Sequence, residues 1–250
     1  MKILQGELKN NYNSFTKQYD RQYKKVKDSL KNSSQYLAGY QRVASLQAWN
    51  SLLLVNTISK SCQEFFLESQ NDALTSLIMA QSGSWRVSLQ SLRSCIENTL
   101  FCMYYKDHPI ELRQWTKGEH KLNFTETMKY FTKHPDFSGL DESICGLDFL
   151  NREYSILSKA VHASAKSFRM TKGLKTTSLM NDNLHSLGAW NTRHQNTLRG
   201  LNTFLVVLHK DTLTGASHRN LRKTISLSIP VSMHIRIRKD LNINLFDPNK

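Results

Sequence analysis

Arg86, Gln90, Arg93, Glu97 and Tyr104 are separated by four, three, four and seven positions. Those intervals place all five on one line of an α-helix, beside its apolar face. Arg93 and Glu97, at i and i+4, form a pair within the helix. Two chemistries fit. One is a half-buried ion pair that fixes helix register, the simpler reading. The other is a site in which Glu97 takes or orients a proton while Arg93 holds a phosphate. A second line, Tyr154, Ser158 and His162, repeats every four residues, with Arg152 beside it. A histidine at a helix C-terminus is stabilised as a cation by the macrodipole. Convergence of the two lines would make Arg93, Glu97 and His162 a candidate catalytic set.

A second constellation is cationic. Arg193, Arg199, Arg219, Arg222, Lys223, Arg236, Arg238 and Lys239 crowd the last third of the chain. Lys and Arg outnumber Asp and Glu 34 to 20, for a formal charge of +14. Residues 166–250 contribute 14 bases against four acids, and the spans 183–210 and 212–239 contain no acid. Guanidinium donates in a planar fork that suits phosphate, so the expected partner is nucleic acid. No base-reading module is present. Backbone or shape recognition of RNA or single-stranded DNA is therefore favoured; Trp190, Tyr154 or the N-terminal tyrosines could stack bases, although core packing is the simpler role for each. The cations do not lie opposite one exposed apolar helix face, which argues against a membrane partner.

Other chemistries lack their first residues. There is no HExxH and no GxxxxGK[ST], GxGxxG or GxSxG, so no metal and no cofactor is expected. Cys62, Cys95, Cys102 and Cys145 form no CxxC pair. They read as reduced thiols in a cytoplasmic protein. No run of 18 apolar residues exists, and the first residues turn polar too soon for a secretion signal.

The elements that position these residues are mainly helical. The chain has 250 residues, 39% of them hydrophobic and 22% charged, with only ten Gly and four Pro. That composition suits a domain with a substantial core. Leu4, Leu8, Tyr12, Phe15, Tyr19, Val26 and Leu30 mark one stripe of a first helix. Packing of that stripe on the domain is favoured over a dimerising coiled coil. Ser33 and Ser34 can cap a second helix, over residues 35–68. Asn71-Asp72 punctuates, and a central apolar helix follows over 72–106, kinked or divided at Ser82-Gly83-Ser84. Between Pro109 and Pro135 the period breaks at Lys117-Gly118, giving two short helices and a loop. Helices return over 143–163 and 183–209.

Residues 224–238 read differently. Ile225, Leu227, Ile229, Val231, Met233, Ile235 and Ile237 alternate with polar residues, which is a strand signal. Its partner would be 167–177, where Phe168, Met170 and Leu174 share a parity, or another chain.

The segment LSKAVHAS, in which His162 ends a helix, together with the internal Arg/Glu line, resembles the HEPN superfamily. Those all-helical proteins of phage-defence and toxin systems include metal-independent ribonucleases. Their signature is Arg, four to six residues, then His, and the run from Arg113 to His120 has that spacing. Over residues 35–210 the resemblance implies a defence-related helical protein. It also implies a ribonuclease using His162 or His120 with Arg93, Glu97 or Arg113.

The expected fold is mainly α: a long-helix bundle with a small antiparallel β element near the C-terminus. Its parts are an N-terminal amphipathic helix (1–32), a helical core (33–165) and a basic helix plus β element (166–250), continuous as one domain. The expected function is nucleic-acid binding. The alternatives are the ribonuclease and a protein-interaction subunit, which would use the C-terminal strand edge or the N-terminal helix, with a second copy as one possible partner.

Overall fold

The structure, a computed structural model, describes residues 2–162, 171–172, 175–176 and 179–246. It opens with α1 (Lys2–Leu30) and α2 (Ser34–Trp49), whose start is fixed by Ser33 Oγ accepting from the Gln35 N–H at 3.3 Å. A π turn at Asn50–Leu54 leads into α3 (Val55–Thr57). Ser59 then caps α4 (Lys60–Gln81), accepting from the Cys62 N–H. A tight turn at Ser82–Ser84 sends α5 (Trp85–Asp107) back along α4. The helices therefore break at residues 58–59 and 82–84, and Asn71-Asp72 sits inside α4. Ser59 supplies a cap and Gly83 adopts φ +69°, whereas Asp72 is held across the hairpin by the Asn98 amide at 2.8 Å.

Next come α6 (Pro109–Thr116) and α7 (Phe124–Thr132), parted by Lys117-Gly118 as the pattern predicts. A short 3₁₀ turn precedes α8 (Glu142–Cys145) and α9 (Leu147–Val161). After β1 (Thr171–Lys172) and β2 (Lys175–Thr176), α10 (Leu184–Leu208) crosses the molecule. It is followed by α11 (Lys210–Leu213), α12 (Arg219–Ile225) and α13 (Val231–Leu241). Helices α5 and α10 pack on each other and both receive α9, while α2 lies against α4, α10 and α12. One apolar core results, holding Trp49, Trp190, Phe66, Phe131 and Phe204 out of water.

The expected strand over 224–238 is helical. Ile225 ends α12, a turn follows, and Pro230 starts α13. The seven-residue alternation contains two interleaved sets. Ile225, Ile229, Met233, Ile237 and Leu241 recur every four residues and face the core. Leu227, Val231 and Ile235 are exposed. A four-residue recurrence is a helix face, and the intervening apolar residues only mimic period two. No edge strand exists at 224–238 to lend to a partner. The expected strand partner, 167–177, instead pairs within itself: Thr171 opposes Thr176 and Lys172 opposes Lys175. Phe168, Met170 and Leu174 lie outside the described residues.

A polar seam threads the core. Trp49 Nε1 donates to Asn202 Oδ1 at 2.9 Å, and Asn202 Nδ2 donates to Ser45 Oγ, which bonds Ser228. Arg42, only 6% exposed, donates to His194 Nδ1 at 3.1 Å and to Asn191 Oδ1 at 2.6 Å. Burial lowers Arg42 to about 10, so it stays charged at pH 7. Burial first, then the Arg42 charge, holds His194 well below 6.5. The unfolded chain therefore takes up the proton first as pH falls. The stability this group permits is complete above pH ~6.5 and is lost below it. His194→Asn keeps an acceptor and removes the titration. Relative to that variant, the natural chain should lose about 2 kcal/mol of unfolding free energy between pH 8 and pH 5. Urea denaturation at both pH values measures this difference; parallel pH profiles would contradict it.

The packing expected for α1 holds only at its end. Val26 and Leu30 are buried, but Leu4, Leu8, Tyr12, Phe15, Tyr19 and Tyr23 are exposed. The Gln22 amide donates to Met180 O at 2.7 Å, and a groove of about 720 Å³ opens between α1 and residues 179–182.

Candidate functional site

Helices α5 and α9 pack side by side and bring the two polar lines together. Arg93 Nη2 lies 3.0 Å from Glu97 Oε1, and Arg93 Nε donates to Ser158 Oγ at 3.2 Å. The Tyr154 hydroxyl accepts from Arg93 Nη2 and donates to Glu97 Oε1 at 2.7 Å. Phe124 of α7 stacks on the Tyr154 ring at 3.5 Å, with 5° between the planes. Burial, then the Glu97 carboxylate, raises the phenol to about 12, so Tyr154 keeps its proton at neutral pH. Beside the network lies a depression of about 450 Å³ lined by Phe124, Thr125, Met128, Asn151, Tyr154 and Ser158.

His162 does not join them. It is the exposed C-cap of α9, and its ring makes no hydrogen bond with Arg93 or Glu97. Arg86, first of the polar line, donates to Ala160 O and Val161 O at 2.9 Å each and so closes the end of α9. The network is internally satisfied and holds no imidazole, so it ties α5 to α9 in register. The alternative pair is also separated. Arg113 is exposed on α6, while His120 lies beyond the Gly118 turn and bonds the Tyr105 hydroxyl at 3.0 Å. Among the described residues, no group of three or more His, Cys, Asp or Glu is placed to hold a metal ion. No described helix is long and apolar enough to cross a membrane. The four thiols are free and buried.

The cationic set divides by burial. Arg193 Nη1 reaches both oxygens of Glu153, at 2.8 and 3.0 Å, and is neutralised there. Arg222 is 5% exposed and clamps the 213–215 turn, donating to Leu213 O and Gly215 O. Arg199 lies 3.7 Å over the Phe149 ring in a cleft of about 410 Å³ that also carries Asp141, Glu142 and Asp148. Arg193 and Arg222 are thus structural, and Arg199 faces acids.

Arg219, Lys223, Arg236, Arg238 and Lys239 are exposed on α12 and α13. Arg219 and Lys223, one helical turn apart, sit 5.6 and 5.8 Å over the half-buried ring of Phe246. The Phe246 N–H donates to Ser226 Oγ, which anchors the ring against α12. Neither cation is in an ion pair among the described residues. On α13, Arg236 and Lys239 point away from the buried face, and Arg238 lies at its margin. His234, also on α13, lies on the other side of the helix. It is buried, with Nε2 3.0 Å from Ile229 O.

The sequence reading missed Phe246 and Phe149. Each supplies an aromatic face to an arginine distant in the chain, and no spacing rule marks that. Comparison with protein-family models, with curated proteins and with solved structures returns no match, so a functional reading rests on the side chains just described.

Proposed function

We propose that this chain binds single-stranded nucleic acid, RNA or DNA, by its phosphates. The contact would run over α12 and α13, through Arg219, Lys223, Arg238 and Lys239. The observation that carries the reading is the pair Arg219 and Lys223, solvent-exposed, without a carboxylate partner among the described residues, and flanking the ring of Phe246. A phosphate between two cations gains charge-assisted hydrogen bonds, and an aromatic ring beside it offers a base a face to stack on. The charge of +14 adds a long-range attraction for any polyanion. Arg193 and Arg222 take no part, because each is engaged inside the fold.

The test is fluorescence anisotropy with labelled single-stranded RNA and DNA across a salt series. For the natural chain, log affinity should fall linearly with log salt, by about 0.7 per phosphate neutralised. Arg219→Ala with Lys223→Ala should weaken binding at least tenfold and flatten the slope by about 1.4. Flat salt dependence, or a double variant that binds like the natural chain, contradicts the proposal.

A further inference from the structure

Helix α1 carries an apolar stripe that the described residues leave exposed, with its Phe15 and Tyr19 lining the groove beside residues 179–182. Leu4, Leu8, Tyr12, Phe15, Tyr19 and Tyr23 are 39–67% exposed, although Val26 and Leu30 on the same stripe are buried in the core. The uncovered stretch spans about 30 Å of helix. It therefore continues, past the edge of the domain, a face that already packs on other helices.

The spacing of the stripe restricts what can cover it. From Leu4 to Leu30 the steps are four, four, three, four, four, three and four. That is an 11-residue repeat, which supports a right-handed supercoil of paired helices. Within the exposed part the steps read four, four, three, four, four, the same in both directions. A second α1 running antiparallel then meets every position in register. Leu4 falls opposite the partner's Tyr23, Leu8 opposite the partner's Tyr19, and Tyr12 opposite the partner's Phe15. Leu4 and Leu8 each face a larger ring, and the two central pairs set Tyr12 against Phe15.

Charge permits this pairing. At 100° per residue, the rows immediately beside the stripe hold Gln5 and Thr16 on one side and Asn11, Gln18 and Gln22 on the other, with Lys9 and Lys27 beyond the first and Glu7 and Lys25 beyond the second. Lys27 lies 5.8 Å over the Tyr23 ring, at the C-terminal end of the exposed stretch. Lys17 and Lys24 lie on the opposite side of the helix. The antiparallel sense keeps the lysine-rich C-terminal turns of the two copies apart.

The area is sufficient. At roughly 200 Å² per large side chain, the exposed parts of the six residues come to about 600 Å² per copy. A pair would bury about 1,300 Å², within the range of specific interfaces.

We propose that α1 pairs with α1 of a second copy of this chain as an antiparallel two-helix seam. The test is the mass of the full chain in solution by light scattering after size exclusion, at about 20 µM. The natural chain should run at twice its 28.9 kDa. Leu8→Glu with Phe15→Glu, both on the exposed stripe, should run as a monomer with unchanged thermal melting. Register is read by oxidation. Leu8→Cys with Tyr19→Cys should give a covalent dimer, and Leu8→Cys alone should not. A natural chain that is monomeric at 100 µM overturns the proposal, even if it sediments with phosphatidylserine vesicles, which would assign the stripe to lipid. A glutamate variant that remains dimeric overturns it too, and cross-linking through Leu8→Cys alone overturns the antiparallel sense.

Discussion

Replacing Arg193 with methionine is expected to destabilise the fold by about 3–5 kcal/mol while leaving nucleic-acid affinity within twofold of the natural chain. Glu153, only 4% exposed, is the reason. Its carboxylate receives Arg193 through both oxygens and the Asn196 amide at 2.8 Å. Burial nonetheless outweighs these partners and holds Glu153 above the usual carboxylate range. Without Arg193, an unpaired charge remains in the interior, or the carboxyl takes a proton at neutral pH; either route costs stability. Arg193→Met combined with Glu153→Gln removes the orphan charge and should recover most of the loss. Guanidinium denaturation at pH 7 measures the stability, and anisotropy measures the binding. A loss under about 1 kcal/mol together with tenfold weaker binding would return Arg193 to the phosphate surface.

The second large effect is at Gly146, between α8 and α9. Its φ is +75°, and a Cβ there would sit 2.4 Å from Thr203 Oγ1 and 2.7 Å from Gly200 O of α10. Alanine would carry the left-handed penalty and also force α9 away from α10, since a backbone carbonyl cannot swing aside. Gly146→Ala should cost about 3 kcal/mol or more. Gly118 has nearly the same φ, +76°, with nothing within 4 Å of a Cβ. Gly118→Ala should therefore cost only about 1 kcal/mol, the price of the backbone conformation alone. Equal losses at the two positions would show that close packing of α9 on α10 contributes nothing.

Both predictions depend on neighbours distant in sequence, and the legibility of this chain divides along the same line. Spacing located some of the helices and their interruptions. The 183–209 pattern is α10, the Lys117-Gly118 interruption separates α6 from α7, and Ser33 caps α2. The Arg93–Glu97 pair, with Tyr154 and Ser158 on another shared face, was legible too, because i, i+4 geometry is local. His162 fell outside that cluster because it caps α9 with its side chain exposed, while Arg86 of α5 takes the carbonyls of Ala160 and Val161 just before it.

The strand over 224–238 failed for a stated cause. Apolar residues at every second position contain a four-residue period, and only contact with α2 and the core shows which half of them is buried. Cation type and number were likewise visible, but their fates were not. Arg193, Arg199 and Arg222 look like Arg219 in sequence, yet one meets Glu153, one stacks on Phe149 above acids, and one clamps a turn.

The sequence by itself determined a helical chain with an excess of cations toward its end, because helix periodicity and net charge are properties of order and composition. Tertiary structure alone decided which cations face water, which histidines are buried neutral and which stripe of α1 lies uncovered. Burial and partner choice arise between segments far apart in the chain, and no local pattern encodes the distance between them.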